Sequence, residues 1–393
     1  MHIFFSVGEP SGDLHAARLI SELRRQRPGI QMTAFGGHLM EQAGCRLLYR
    51  LTDLAVMGFI RVVPLLWTFF RLVRKARQHL RDTRPDAVIL VDFPGFNWWI
   101  ARAARNLKIP VIYYVPPQLW AWAPWRVGRM RRFVDHVLCC LPFEEAWYRA
   151  RGVSAEFVGH PFFDEVAERG LDGRFMAQAA ERKKARRLVA ILPGSRNHEV
   201  AHNFPLQIAV MQNLAARLPD ARFLVACYKD AHKRQCAAEI AARAPNLPVE
   251  LHVGRTSEII ESAAVCLMVS GSVSLELLAR TTPAVVVYRV GFIFYWFARA
   301  VAICKYISLP NLIADRLIMP EFAPYGDCSG TILEMTALLH HWLIDPAEHA
   351  RRVAELAGLK SRVATAGATA NAAAAILARL NPSATSGANR VAA

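Results

Sequence analysis

The sequence predicts an α/β fold: two doubly wound parallel-sheet domains in tandem. Short β-branched or aromatic runs recur along the chain and a helical pattern follows each of them, an alternation that builds parallel sheets flanked by helices. Runs such as AVILVD (87–92) and PVIYYV (110–115) are apolar at consecutive positions, as strands covered on both faces must be. Length agrees, since 393 residues make roughly two to three domains at about 150 residues each. With 53% hydrophobic and 20% charged residues the chain buries a large core, which excludes a disordered protein, a coiled coil and a disulfide miniprotein.

In the first half, strands fall at His2–Val7, Met32–Gly36, Asp86–Asp92, Pro110–Val115, Asp135–Cys140 and Glu156–Gly159. Each is a short apolar run, and the first runs into a helix over Leu14–Arg25. In the second half they fall at Arg187–Leu192, Arg222–Tyr228, Val249–Val253, Val265–Ser270 and Pro283–Tyr288. Residues 171–187 include ERKKARR, with five basic residues in six positions, and read as a linker or an exposed helix. The expected division is therefore two Rossmann-like domains facing a cleft: 1–170, a basic linker 171–187, 188–377, and a flexible small-residue tail 378–393. Ligands of such sheets bind at the loops beyond the carboxyl ends of the strands.

Lys and Arg number 48 against 32 Asp and Glu, a net charge of +16, which favours an anionic partner: nucleic acid, a phosphorylated substrate or an acidic membrane face. The eight cysteines include no C-x-x-C pair and read as free thiols in a reducing compartment. MHIFFSVGEPSGD shows no secretory signal, so a cytoplasmic protein is expected. Two nine-residue apolar runs, Val62–Phe70 and Val290–Ala298, carry basic flanks and are far shorter than the ~20 residues that span a bilayer. They read either as buried core helices or as elements lying in a membrane interface. In the second reading Val62, Leu65, Leu66, Trp67, Phe69, Phe70, Phe292, Phe294 and Trp296 touch lipid.

Five loops carry candidate chemistry. In Gly8–Asp13 the turn is not G-x-G-x-x-G and gives no dinucleotide fingerprint; Ser11 and Asp13 are caps or ligands, while Glu9 has no evident structural duty. Asp92 ends an apolar strand, placed either as a general base or as an Asx-turn cap. The Tyr113–Trp122 stretch is an aromatic wall or core. Gly194-Ser195-Arg196, followed by Glu199, opens a helix whose N–H groups and arginine suit phosphate, or is an ordinary turn. Ser270-Gly271-Ser272-Val273-Ser274-Leu275-Glu276 offers hydroxyls and N–H groups for a diphosphate, with Glu276 for ribose hydroxyls, or is a serine-capped helix. His160, in Gly159-His160-Pro161, is the one histidine in a suggestive turn. No D-x-D, no G-x-S-x-G and no zinc-type His/Cys spacing occurs, so neither metal nor cofactor is expected.

Nine motifs stand in order: GEPSGD (8–13), AVMGF (55–59), VDFPGFN (91–97), PPQLWAW (116–122), LPFE (141–144), FVGHP (157–161), LPGSRNHE (192–199), SGSVSLE (270–276) and SLPNLIA (308–314). Together, over roughly residues 1 to 320, they resemble the lipid-A-disaccharide synthases, inverting glycosyltransferases of the GT-B type. The resemblance implies transfer from UDP-2,3-diacylglucosamine to the 6-hydroxyl of 2,3-diacylglucosamine 1-phosphate. The products would be a β-1,6 disaccharide 1-phosphate and UDP, made without a metal at the cytoplasmic face of the inner membrane. It assigns Asp92 to deprotonation of the acceptor, with Glu9 the alternative base, and Arg196 to charge balance on the leaving UDP. Gly194, Ser195, Glu199, Ser270, Gly271, Ser272, Ser274, Glu276 and Asn311 fall on the nucleotide-sugar side. Glu9, Ser11 and Asn97 fall on the acceptor side. A homodimer with exchanged C-terminal segments is a further implication. Pro10, Arg61 and Ala323-Pro324-Tyr325 depart from the family pattern, which bears on acyl-chain or uridine contacts.

Two other readings compete. Another two-domain UDP-sugar enzyme, an epimerase or a cell-wall glycosyltransferase, would act on a water-soluble substrate and need no basic amphipathic strips. A non-catalytic basic protein binding membrane or nucleic acid would show steep salt dependence and release no UDP. No nucleic-acid-binding module is legible, so no nucleic-acid partner is expected.

Overall fold

The computed structural model describes residues 1–53, 62–185, 187–289, 304–364 and 367–381. The chain forms two units, Met1–Asp164 with Thr365–Ala393, and Glu165–Ala364.

The first unit runs β1 (His2–Val7), α1 (Pro10–Gln26), β2 (Gln31–Gly36), α2 (His38–Gln42), β3 (Arg46–Arg50), α3 (Val62–Thr83), β4 (Ala87–Val91), α4 (Pro94–Asn106), β5 (Val111–Tyr114), α5 (Leu119–Trp122), α6 (Val127–Phe133), β6 (His136–Cys139), α7 (Pro142–Arg149), β7 (Ala155–Phe157) and α8 (Pro161–Glu168). Its parallel sheet has the order β3-β2-β1-β4-β5-β6-β7. Alternate residues of one strand feed two core layers. Phe4, Val88 and Leu90 face one way, and Ile3, Phe5, Ile89 and Val91 the other, which is why these strands are apolar throughout.

The second unit runs α9 (Gly173–Ala185), β8 (Arg187–Leu192), α10 (Asn197–Arg217), β9 (Ala221–Cys227), α11 (Asp230–Arg243), β10 (Val249–Val253), α12 (Thr256–Ser262), β11 (Val265–Val269), α13 (Val273–Arg280), β12 (Ala284–Val287), α14 (Leu309–Ala314), β13 (Glu321–Phe322), α15 (Ser329–Ile344) and α16 (Pro346–Val363). Its parallel sheet is ordered β10-β9-β8-β11-β12-β13. In each sheet the order reverses beside the first strand, between β1 and β4 and between β8 and β11. A crevice opens at such a switch point because the loops on its two sides lead to helices on opposite faces.

Every strand expected from the sequence is present, with ends within one or two residues. The sequence reading misses β3, an edge strand with arginine at both ends, and the two-residue β13. The expected domain boundaries need correction. The chain returns at its end to the first unit, where α17 (Ala368–Leu380) lays Ala372, Ala373 and Ile376 into the layer that holds Ala16, Leu19, Ile20 and Leu23 of α1. Asp164 fixes the return: its carboxylate accepts from the N–H groups of Gly367, Ala368 and Thr369 at 2.8–3.2 Å, a cap supplied from another helix. Residues 378–380 thus belong to a helix, and 382–393 lie outside the described residues. The basic stretch takes the second of its two expected forms, a helix, and not that of a linker. Helix α9 buries Ala179, sets Phe175 against His252 and pairs Arg182 with Glu250 at 2.7 Å, all within the second unit. All eight cysteines are free, seven of them buried and Cys304 half-buried.

Candidate active site

In the first unit, Glu9 leaves β1 and Asp92 leaves β4, so both carboxylates stand at the switch point. The backbone there is unusual. Asp92 and Phe93 have φ of +45° and +46°, and Val115, at the end of the neighbouring β5, has +49°. For a β-branched residue this is a strained conformation. A polar clamp holds it. The Asp92 N–H donates to Val115 O at 3.3 Å, while its carbonyl accepts from the Tyr113 hydroxyl at 2.6 Å and from Asn97 Nδ2 at 2.7 Å. Asn97 is fully buried. Its Nδ2 also donates to the carbonyls of Ser6 and Val91, and its Oδ1 accepts from the Ser6 hydroxyl at 2.6 Å.

Gly8 is required beside this turn, because a Cβ would lie 2.1 Å from the Phe93 ring. So placed, Glu9 hydrogen-bonds the Asp92 carboxylate. Burial raises the Asp92 pKa, opposed by the Phe93 N–H and by that contact with Glu9. Two acids in hydrogen-bond contact hold one proton between them, which leaves one carboxylate able to accept a proton from a substrate hydroxyl.

Two first-unit expectations change. Asn97 is not an acceptor ligand; it positions Asp92. Asp13 is buried and accepts from the N–H groups of Gly37, Leu39 and Met40, so it caps α2, not its own helix. Ser11 is exposed in the first turn of α1. Ser6 escapes sequence reasoning because it reads as an ordinary strand residue, and Tyr113 is read there only for its ring, not for its hydroxyl.

An apolar surface adjoins the Asp92 turn. Phe69 of α3 packs on Phe93 and Phe96 with ring centroids 6.2 and 5.6 Å away, so it is a packing residue and not an outward lipid contact. Trp67 and Phe70 do point outward, 60% and 61% exposed, stacked on each other with Arg71 over the Trp67 ring. The side chains of Val62, Leu65 and Leu66, and all of Phe292, Phe294 and Trp296, lie outside the described residues. Trp99, Trp122 and Trp125 are further exposed aromatics of this unit, with Arg126 over the Trp122 ring. The aromatic stretch after β5 is therefore part wall and part core. Its Trp120 is buried and donates Nε1–H to Glu144 at 3.0 Å. Burial pushes the Glu144 carboxyl up to about 7, against that bond and the N–H groups of Leu141 and Cys140.

In the second unit the loops after β8 and β11 flank the other switch point. The Gly194–Arg196 turn differs from an open anion cradle. The buried Glu199 carboxylate accepts from the N–H groups of Ser195 and Arg196 at 3.0 and 3.1 Å and from Arg196 Nη1 at 2.9 Å. This is a capping box, and Gly194 (φ +110°) makes room for it, since a Cβ would lie 2.8 Å from the Glu199 carboxylate. Glu199 therefore orients Arg196, whose side chain is 71% exposed, and is not itself placed to bind an anion. Tyr288, half-buried at the end of β12, feels both charges: burial raises its pKa, Glu199 adds to the rise and Arg196 opposes it. Its position beside Arg196 is invisible in the sequence.

In the β11 loop, Gly271 and Ser272 are exposed and Ser270 is half-buried, with the Ser270 hydroxyl donating to Ile307 O at 3.2 Å. Ser274 is buried and its hydroxyl donates to Gly271 O at 2.8 Å, so it shapes the turn and is no ligand. Asn311 is fully buried too. Its amide donates to Met319 O and Glu321 Oε1 and accepts from the N–H groups of Ile318 and Met319, which makes it an internal brace. Glu276 is buried in the first turn of α13 with Arg280 Nε 3.1 Å from its Oε1. His160 is packed edge-on against His15, and burial pushes it down to about 3; it makes no part of either loop set. Among the described residues no group of three or more His, Cys, Asp or Glu could hold a metal ion.

Two doubly wound parallel sheets with their chemistry-bearing loops at the switch points define the GT-B class of nucleotide-sugar enzymes. Solved structures agree on the fold. A UDP-GlcNAc 2-epimerase from Neisseria meningitidis, bound to UDP-GlcNAc, matches with a TM-score of 0.60 at 13% identity, covering 97% of this chain and 100% of that one. A glycosyltransferase from Rickettsia africae matches with 0.59 at 8% identity, covering 97% and 99%. Sequence comparison is sharper. The family "Lipid-A-disaccharide synthetase" matches residues 3–342. A lipid-A-disaccharide synthase of Anaeromyxobacter sp. (strain K) is 37% identical over 93% of this chain and 94% of its own, and one of Myxococcus xanthus is 33% identical over 97% and 98%. The chain belongs to the lipid-A-disaccharide synthase family, glycosyltransferases of lipid A biosynthesis.

Proposed function

We propose that the protein transfers 2,3-diacylglucosamine from its UDP derivative to the 6-hydroxyl of 2,3-diacylglucosamine 1-phosphate, with inversion and without a metal. The observation that carries this reading is the Glu9–Asp92 pair beside an apolar helix face: an acid–base device next to a surface suited to acyl chains. Asp92 takes the proton of the 6-hydroxyl as that oxygen attacks the donor C1. The C1–O bond to the diphosphate breaks, and its electron pair leaves with UDP. Glu9, sharing the proton of the pair, tunes the base.

Arg196 and the Ser270–Ser272 turn meet the charge that grows on the diphosphate, and Glu199 keeps the Arg196 guanidinium in place. Glu276 holds the ribose. The exposed Trp67 and Phe70, with Trp99, Trp122 and Trp125 and the arginines over Trp67 and Trp122, suit a peripheral site on the cytoplasmic face of the inner membrane, because aromatic rings and cations favour the lipid interface. Pro346–Leu380 is long and apolar enough to cross a bilayer, but its two helices place Leu356, Leu359, Ala372 and Ile376 in protein cores, so we read it as core. A homodimer completes the proposal, and light scattering of the purified protein tests it.

Release of UDP from purified protein in detergent micelles tests the reaction. Release that requires the lipid acceptor and survives EDTA is expected. Release without acceptor, or none, contradicts the reading and favours a UDP-sugar epimerase or a transferase acting on a soluble acceptor.

A further inference from the structure

On helix α13 the reaction scheme uses Glu276 and leaves unused the cation paired with it. Arg280, four residues after Glu276, is the link. Its side chain is 9% exposed, with Nε 3.1 Å from Glu276 Oε1 and Nη1 2.8 Å from Glu261 Oε2 of the adjacent α12. Glu276 is 4% exposed, whereas Glu261 is 42% exposed. Arg280 Nη2 is buried without a hydrogen-bond partner, so little water screens this cation. The end of α13 is pinned as well, since the Thr282 hydroxyl donates to Ile260 O of α12 at 3.1 Å. The guanidinium thus sits in one place and occupies one oxygen of Glu276, at the first turn of the helix that opens from the β11 loop.

A carboxylate can hold two vicinal hydroxyls only if it stays ionised and keeps one rotamer. A buried carboxylate does neither without a partner cation. We propose that Arg280 is the positioning residue that presents Glu276 to the ribose of the UDP-sugar, and so sets the preference for a nucleotide bearing both ribose hydroxyls. This rests on the donor assignment above. Arg280 does not touch the nucleotide; it acts through Glu276.

Titration calorimetry with UDP and 2′-deoxy-UDP tests this on the full-length wild type and on Arg280→Met, Arg280→Lys and Glu261→Gln. The wild type should prefer UDP by about tenfold, the low end for a hydrogen bond to a charged group. Arg280→Met should weaken UDP about tenfold and leave 2′-deoxy-UDP within about twofold, with kcat at saturating donor nearly unchanged because the lost contact serves binding alone. Arg280→Lys should restore most of the preference. Equal weakening of both nucleotides, or an unchanged preference in Arg280→Met, overturns the proposal. Should Arg280→Met fail to fold, Glu261→Gln decides, because it removes only the half-exposed anchor. A preference reduced roughly threefold supports the proposal and an unchanged one overturns it. A wild type that binds neither nucleotide contradicts the donor assignment itself, whereas one that binds both equally contradicts only the ribose contact.

Discussion

Replacing Asn97 with leucine separates a positioning role from a ligand role at the first-unit site. The side chain is fully buried and makes four hydrogen bonds of 2.6–3.2 Å, to Ser6 Oγ and to the carbonyls of Ser6, Val91 and Asp92. Leucine fills nearly the same volume, so little cavity cost arises, and the loss is that of the polar contacts. The two Nδ2 protons are shared among three carbonyls and count as two full bonds beside the accepted one. At about 1 kcal/mol net for each, Asn97→Leu should cost roughly 3 kcal/mol, a large share of the ~5–15 kcal/mol that stabilises a domain.

The Asp92 carbonyl keeps only its Tyr113 contact, and the left-handed turn at 92–93 is free to relax. Misplacement of the base by about 1 Å lowers turnover on the order of 100-fold. The assay is urea unfolding together with steady-state kinetics for both substrates, at a temperature where the variant stays folded. The donor KM should be unchanged, since no donor contact is assigned to Asn97. An acceptor KM raised at wild-type stability would refute the reasoning and make Asn97 a direct ligand.

Other perturbations follow from the same geometry. The Glu144 carboxyl titrates near 7 in the folded protein against an ordinary value of 4.5. The stability it contributes is fully present below pH 4.5 and is lost as pH rises through about 7, up to ~3 kcal/mol; Glu144→Gln should flatten that part of the stability–pH curve, and a slope unchanged in the variant would count against it. Glu199→Ala frees the Ser195 and Arg196 N–H groups and releases the Arg196 side chain. It should cost about 1 kcal/mol of stability and raise the donor KM, whereas a lowered KM would mean that Glu199 obstructs the anion. Trp122→Ala with Trp125→Ala should weaken sedimentation with anionic vesicles about tenfold while leaving turnover on detergent-dispersed substrate intact; unchanged sedimentation would remove that face from the membrane contact.

Much of this was legible in the residues. Consecutive apolar positions mark β4 and β5 as double-faced strands, and the order of strands and helices yields the doubly wound sheets. Asp92 is readable as a carboxylate at the carboxyl end of a strand. Its neighbours are not, because the left-handed backbone at 92–93 and the buried Asn97 clamp exist only once β1, β4 and β5 lie side by side.

A similar limit applies to Glu199, Ser274 and Asn311. Each is a polar residue in a loop motif, and only the folded chain tells whether its polar atoms face solvent or satisfy the loop's own backbone. Most of helix α17 reads as part of the second domain and only its last residues as tail, because alanine-rich sequence carries a weak signal of where it packs. Small residues are what let it lie close on α1. Helix α9 reads as a linker or an exposed helix because its charged face dominates the composition and hides Phe175, Met176 and Ala179.

The pH dependence of kcat/KM for the wild type, Glu9→Gln and Asp92→Asn tests the central claim most directly. Burial raises the Asp92 pKa, so wild-type activity should fall as pH drops through that raised value, where the base takes up its proton. The Glu9 contact holds the Asp92 pKa down against burial, and the amide of Glu9→Gln is a weaker donor than a carboxylic acid, so the acid limb should move to higher pH. Asp92→Asn should lose turnover at every pH while still binding UDP. An acid limb unmoved in Glu9→Gln, or near wild-type turnover in Asp92→Asn, would contradict a proton-sharing pair as the base.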